Sequence, residues 1–299
     1  MTKMYQLFPH LVDDPSTPVA SESLFDSTVG VGVELEAEGM IPPDESTYWL
    51  FKEDGSLRTD FRTECIFKRA LRGVDIKQAL EEIEPLFQAS PRLTRSWRNS
   101  THVHIDVRDL TQEEYQRVAL PSLMLEPYLF WCSSTGRGRS TNYNCRPVHM
   151  CPQSADVWVK QLCERPHRAI NPRERYLAVN PLSLGVLGSI EYRMSGALYS
   201  AKEVLRWVNM LLELRMWAKK TSHQSPTLLL FQFSELGAEA FTRLYLPTTF
   251  DGWEDSLAVT MQAAMGVVQD IVLRLKVPNE AQQLHFGLDN LRVEEEEDW

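Results

Sequence analysis

Between Gly30 and Ala37 the chain alternates apolar with acidic positions, GVGVELEA. Neighbouring side chains of a strand point to opposite faces, so this period of two predicts a β-strand with Glu34 and Glu36 on one face. FKEDGSLRTD follows, with Asp54-Gly55 as a turn signal between two short extended runs, the second being TECIFKRAL. Ile76, Leu80, Ile83 and Phe87 then recur at helical spacing and predict a helix through VDIKQALEEIEPLF. Alternation returns in STHVHIDV, where Val103 and Ile105 supply an apolar face and His102 and His104 share the other, about 7 Å apart along the strand.

Thr111 with Glu114 has the spacing of a capping box, and the helix it opens is expected to end or kink at Pro121 and Pro127. Residues 135–147, TGRGRSTNYNCRP, read as a loop with anion-binding potential. RYLAVNP and GSIEYRMSGAL read as two strands separated by the turn PLSLGVLG. Ser200 and Glu203 predict a second capping box, and Val204, Trp207, Val208, Leu211 and Leu212 mark the apolar face of the helix behind it. Residues 1–28 are turn-rich and polar and read as an N-terminal arm. No internal repeat or long linker divides the rest, so residues 29–299 are expected to form one domain whose last part, 225–299, is helical.

A chain of 299 residues can bury a full core, and 43% hydrophobic with 24% charged residues excludes wholesale disorder. Its net charge of -10 argues against a surface built to hold a phosphate backbone, although a local basic groove stays compatible and a nucleic-acid acceptor stays open. No uninterrupted apolar run approaches membrane-spanning length, and the opening MTKMYQLFPHLVDDPSTP lacks the features of a secretory signal; a cytoplasmic location without a membrane partner is expected. Five cysteines without a C-x-x-C pair disfavour a zinc knuckle and a disulfide framework, and free thiols are expected. Cys145 and Cys151 lie near His149 in sequence, but no recognised nucleophile signature surrounds them.

Three strand-like segments share one device, two polar side chains separated by a single residue: Glu34 and Glu36, His102 and His104, Glu191 and Arg193. Glutamate is depleted from strands, and like charges gathered on a sheet face call for cations. Magnesium or manganese suits carboxylate oxygens with a histidine among them better than zinc does. The bland alternative is a set of exposed residues decorating solvated strands. We accept it for Glu38 and for the acidic tail at 294–298; the joint order of the others argues against it.

GVELEAEG, EDGSL, RTECIF, STHVHIDV, RYLAVNP and SIEYRMSGAL, in that order over roughly residues 30–220, resemble the carboxylate-amine ligases of the glutamine synthetase superfamily, and most closely its amidoligase group. Each motif alone is weak; the ordered set is far more specific. The resemblance implies an α+β fold, with a curved, mainly antiparallel sheet like the glutamine synthetase catalytic domain and helices on its outer face. It also implies ATP and two Mg2+ or Mn2+ ions as cofactors. Glu34, His102 and Glu191 would serve one ion, Glu36 and Glu64 the other, and His104 would face nucleotide phosphate. Arg193 would neutralise the transferred phosphoryl group. Asp54 and Ser56 match a turn near the substrate, with Asp54 a candidate base. Arg137, Arg139, Tyr143 and Arg146 resemble a segment closing over substrate or phosphate, and Asn180, in RYLAVNP, would line the substrate pocket. Ser100 and Thr101 depart from the small residue and glycine usual before H-V-H, which puts the nucleotide approach in doubt more than the metal ligand. Residues 225–299 fall outside the resemblance.

The implied reaction joins a small-molecule or peptide carboxylate to an amine through an acyl phosphate. Rings are common among glutamine synthetase relatives, which leaves a homo-oligomer open. Two other readings use the same residues: a metal-dependent phosphohydrolase or nucleotidyltransferase, and a non-catalytic binding protein that keeps the fold.

Overall fold

The computed structural model describes residues 28–133, 140, 142–151, 153–163, 176–221 and 225–276. The N-terminal arm up to residue 27, Arg137, Arg139 and the acidic tail lie outside these residues. Six strands form one sheet: β1 (Val31–Glu38), β2 (Trp49–Glu53), β3 (Arg62–Phe67), β4 (Ser100–Asp106), β5 (Val179–Asn180) and β6 (Ser189–Gly196). Their order across the sheet is β2-β3-β1-β4-β6-β5, and every neighbouring pair is antiparallel. Among the described residues nine helices accompany it: α1 (Val74–Gln88), α2 (Gln112–Met124), α3 (Glu126–Cys132), α4 (Ser154–Cys163), α5 (Ser183–Leu187), α6 (Ala201–Lys220), α7 (Pro226–Leu236), α8 (Ala238–Tyr245) and α9 (Ser256–Lys276). The described residues are therefore of mixed α and β architecture with one antiparallel sheet.

The alternation of β1 divides that sheet into two unlike faces. Val31, Val33, Leu35 and Ala37 are at most 1% exposed and join Val103, Ile105, Ile190 and Tyr192 in the core. Burying each Val or Leu side chain contributes roughly 1.5–3 kcal/mol, which fixes the register because a one-residue slip would turn them all outward. Helices cover this face. Ser122 of α2 hydrogen-bonds the Tyr192 hydroxyl at 2.8 Å, and the Trp49 indole donates to Ala79 O of α1 at 2.7 Å. The stripe expected on α1 is buried as Ile76, Ala79, Leu80, Ile83 and Phe87.

Several local expectations change. Pro121 lies inside α2, and Pro127 sits in the first turn of α3, where a missing N–H costs nothing. The break falls between them at Leu125, whose N–H bonds Pro121 O at 2.8 Å. The turn PLSLGVLG contains α5, closed by Gly188 in the left-handed region at φ 69°. Thr111 and Glu114 form the complete capping box. Ser200 accepts from Glu203 N–H at 3.1 Å, but the Glu203 carboxylate is drawn to Arg95 at 3.0 Å, so the second box is half made. By length and composition α9 could span a membrane, although Thr260, Gln262, Gln269 and Asp270 interrupt its apolar run as expected. It buries Met261, Ala264, Val268, Ile271 and Val272 and packs on α2, α3 and α4, as a core helix does.

Candidate functional site

The second face of the sheet collects the polar partners of every strand pair. Glu34 stands opposite His102 on β4 and Ile66 on β3, and Glu36 stands opposite Glu64. His104 stands opposite Glu191, which is also opposite Asn180. A bulge sets Arg193 and Met194 of β6 against the single residue His102, because Tyr192 pairs with Val103 and Ser195 with Thr101. Such a bulge re-aims a side chain. Here Arg193 reaches back to bond Glu191 Oε1.

The side chains converge. His102 Nδ1 lies 2.8 Å from Glu34 Oε1 and 3.7 Å from Glu191 Oε1, while His104 Nε2 is 4.0 Å from the same Glu191 oxygen. Ligand atoms of Glu34, Glu36 and His102 all lie within 4.8 Å of one another. Ligands of one six-coordinate magnesium stand roughly 3–4 Å apart, so small side-chain rotations close this group around an ion. Ser100 Oγ donates to Glu36 Oε2 and is 2.8 Å from His102 Nε2. Its single proton goes to Glu36, so it accepts from Nε2–H, while Nδ1 shares a hydrogen bond with Glu34 Oε1. With Nε2–H held by Ser100, Nδ1 is the ring nitrogen that would ligate an ion on giving up the proton it shares with Glu34.

Four carboxylates face one guanidinium, and their protonation shows the imbalance. Burial pushes the Glu34 carboxyl up, against a hydrogen bond with Glu64 that pulls it down. Glu64 is pushed up to about 7 by burial, by the charge of Glu34, by their shared hydrogen bond and by Asp54. Two carboxylates this close cannot both ionise freely and hold a proton between them. Burial also works against ionisation of Glu191, but Arg193, His104, His102 and the Asn180 amide overcome it and hold Glu191 down at about 2. A divalent cation is what an excess of negative charge of this kind accommodates, and among the described residues Glu34, Glu36 and His102 are the group whose donor atoms come close enough for one ion.

A cavity of about 560 Å³ opens beside Glu34 and His104, lined also by Gly30, Gly32, Asp106 and Ser189. The glycines keep its wall low. A Cβ on Gly32 would meet His104 Cβ at 3.2 Å, and one on Gly30 would meet Asp106 Oδ2 at 3.0 Å. Lys68, Arg69 and Arg108 contribute cationic groups to the lining, with Arg108 paired to Asp106 at 2.7 Å.

The remaining expected residues take these places. Both oxygens of Asp54 accept from Ser56, the amide at 2.7 Å and the hydroxyl at 2.9 Å, so the pair closes its own turn beside Glu64. Asn180 is 3% exposed and donates to Glu191 Oε2 at 2.6 Å, which makes it a support for that carboxylate. Tyr143 is 66% exposed, with the Arg146 guanidinium 5.6 Å from its ring centroid. Glu38 is not the exposed decoration expected: it is 4% exposed and accepts the Arg58 N–H at 2.9 Å. Gly39, at φ 90°, turns the chain so closely past Arg92 that the end of β1 is covered. Ser100, read only as a departure, tethers two candidate ligands; its place two residues before His102, on the same face, was the available signal. Tyr199 was also missed, and its hydroxyl shares its one proton between Glu36 O at 3.1 Å and Thr94 O at 3.0 Å. A scan against protein-family models finds no match for the chain, and a search of curated proteins finds none either.

Proposed function

We propose that the protein is an ATP-dependent carboxylate-amine ligase, and that its sheet is the curved catalytic sheet of the glutamine synthetase superfamily. One observation carries the reading: Glu34, Glu36, Glu64, His102 and Glu191, from four different strands, share one face next to a cavity. Those five side chains would hold two magnesium or manganese ions, which when bound offset the charge of phosphoryl transfer. Arg193 stands beside Glu191 to neutralise the phosphoryl group as it moves from ATP to the substrate carboxylate. His104 forms part of the wall between that face and the cavity and there meets phosphate. We assign the proton of the incoming amine to Asp54, at the turn closed with Ser56 beside Glu64. The amine attacks the acyl phosphate, the amide bond forms, and phosphate leaves. The chain's contribution is positioning and charge.

The test is nucleotide turnover by the full chain with Mg2+ and ATP, against panels of carboxylates and amines. ADP release that requires both the metal and an amine supports the ligase. AMP with pyrophosphate replaces the mechanism, and turnover without an acceptor points to a phosphohydrolase or nucleotidyltransferase. Calorimetry showing that neither Mg2+ nor a non-hydrolysable ATP analogue binds removes the enzyme altogether.

A further inference from the structure

His104 is held from two sides. Its ring lies over Gly32, its partner on β1, where an added Cβ would stand 3.7 Å from both Cγ and Cδ2. Its Nδ1 is 3.2 Å from the hydroxyl oxygen of Ser189, and among the described residues that hydroxyl has no other partner. Ser189 is itself fixed. It follows the left-handed Gly188 that closes α5, it opens β6 opposite Asp106, and its carbonyl accepts from Ser183 Oγ at 2.7 Å. Only 4% of the residue is exposed, so a hydroxyl proton left there without an acceptor is costly. Were Nδ1–H to donate to Ser189, the serine proton would lose its one acceptor, and a bare Nε2 would face Glu191 Oε1 at 4.0 Å, acceptor against acceptor. Donation from the serine to Nδ1 removes both conflicts, because Nε2 then carries the hydrogen and turns it toward the carboxylate. At 4.0 Å Glu191 is too distant to take that hydrogen bond, so the donor is left for a ligand atom.

We propose that Ser189 is a positioning residue: it donates to His104 Nδ1 and so makes Nε2–H a fixed hydrogen-bond donor for an oxyanion lying between the carboxylate cluster and the cavity. The tautomer stands on these contacts alone; that the oxyanion is a phosphate of the nucleotide rests on the ligase reading. A charged oxygen suits the place, since Lys68, Arg69 and Arg108 contribute to the same cavity lining. A ring set in this way has no lone pair for a cation on the side of the cluster, so His104 serves the ligand and not the ions. His102 is set with the reverse polarity. There Ser100 accepts from Nε2–H, and Nδ1 faces Glu34. Two imidazoles on one strand face thus do different work because one serine receives a hydrogen bond and the other gives one.

The experiment reads the protons directly. Long-range 1H–15N spectra of the full-length protein, labelled in its 7 histidines, identify the protonated nitrogen of each ring, and His104→Gln assigns the signal. They are recorded at about pH 8.5, well above the ordinary histidine range. We expect His104 to be protonated on Nε2 only. In Ser189→Ala a share of the rings should carry the proton on Nδ1, and a non-hydrolysable ATP analogue with Mg2+ should bind about fivefold more weakly in calorimetry. Ser189→Thr, which keeps the hydroxyl, should hold the natural tautomer; a merely structural role for Ser189 would move the tautomer in neither variant. The proposal is overturned by a proton on Nδ1 in the natural protein, by a Ser189→Ala spectrum identical to the natural one, or by weakened analogue binding without a change of tautomer. The spectrum of the natural protein needs no variant, so it decides even where Ser189→Ala fails to fold. An analogue that never binds, with Nε2–H found as expected, defeats the ligase reading and leaves the role of Ser189; tight analogue binding to a ring protonated on Nδ1 does the opposite.

Discussion

Glu126, in the first turn of α3, is 1% exposed, and its Oε2 accepts the Val148 N–H at 2.6 Å. Burial pushes its carboxyl up to about 8, against the pull of backbone N–H groups of Val148 and Val179. The folded state thus keeps a proton that the unfolded chain releases near the ordinary value of 4.5. For a raised carboxyl the contribution to stability is fully present below pH 4.5 and is lost as pH rises, levelling off above the folded value of about 8. At about 1.36 kcal/mol per pH unit, the loss between pH 6 and pH 8 comes to about 2 kcal/mol. Glu126→Gln keeps the acceptor for Val148 and removes the titration. Urea unfolding of both proteins, followed by circular dichroism from pH 5 to pH 9, should show the Gln variant gaining on the natural protein by that amount over the same interval. A stability difference that stays constant with pH refutes the reasoning.

His102→Ala removes the imidazole shared by Glu34, Glu191 and Ser100 and should weaken Mn2+ binding by roughly 100-fold in calorimetry; an unchanged affinity removes His102 from the metal group. Gly32→Ala should cost about 1 kcal/mol of stability, displace His104 and weaken binding of a non-hydrolysable ATP analogue about tenfold while leaving Mn2+ affinity alone, because the added Cβ meets His104 Cβ at 3.2 Å. Equal analogue affinity in the variant places the nucleotide elsewhere. Glu213 of α6 is fully buried and accepts from Thr248 N at 2.9 Å, Thr249 N at 2.8 Å and Thr249 Oγ1 at 2.6 Å. Glu213→Ala should destabilise by on the order of 3 kcal/mol in denaturant unfolding, and a loss under about 1 kcal/mol contradicts its role as the anchor of that turn.

Local periodicity made β1, β3, β4 and β6 legible, because a strand's alternation is written in adjacent residues and the two-residue spacing of Glu34, Glu36, His102, His104, Glu191 and Arg193 fixes a common face. Strand order was not legible. That Glu34 meets His102 and Glu36 meets Glu64 is a matter of long-range register, decided by how Val31, Val33 and Leu35 pack, and no short window contains it. The β6 bulge that aims Arg193 escaped for the same reason. Glu38 was misread because solvation depends on what lies across space: the extended alternation made it the third carboxylate of an exposed stripe, whereas Thr94 N bonds its carbonyl and Gly39 folds the chain over it. The prolines were half legible: α2 ends just before Pro127 as expected, but Pro121 stays inside it and Pro127 also opens α3 from its first turn, where its missing N–H costs nothing.

The acidic face also bears on the choice between chemistry and decoration. Decorating carboxylates stay in water, where their charge costs little and a neighbouring cation contributes at most about 1 kcal/mol. Here Glu36 is 9% exposed, Glu191 6% and His102 1%, and Glu64 is driven toward neutrality at about 7 by its neighbours. Stability alone would favour apolar side chains at these positions, since a buried polar cluster with unmatched charge is inferior to packed hydrocarbon. The chain instead surrounds the cluster with groups that keep the carboxylates and the imidazole in place: Asn180 on Glu191, Ser100 between Glu36 and His102, and Tyr199 on the Glu36 backbone. Such support is intelligible if the cluster is held ready for a cation that supplies the missing positive charge, and it has no purpose on a face that merely meets solvent.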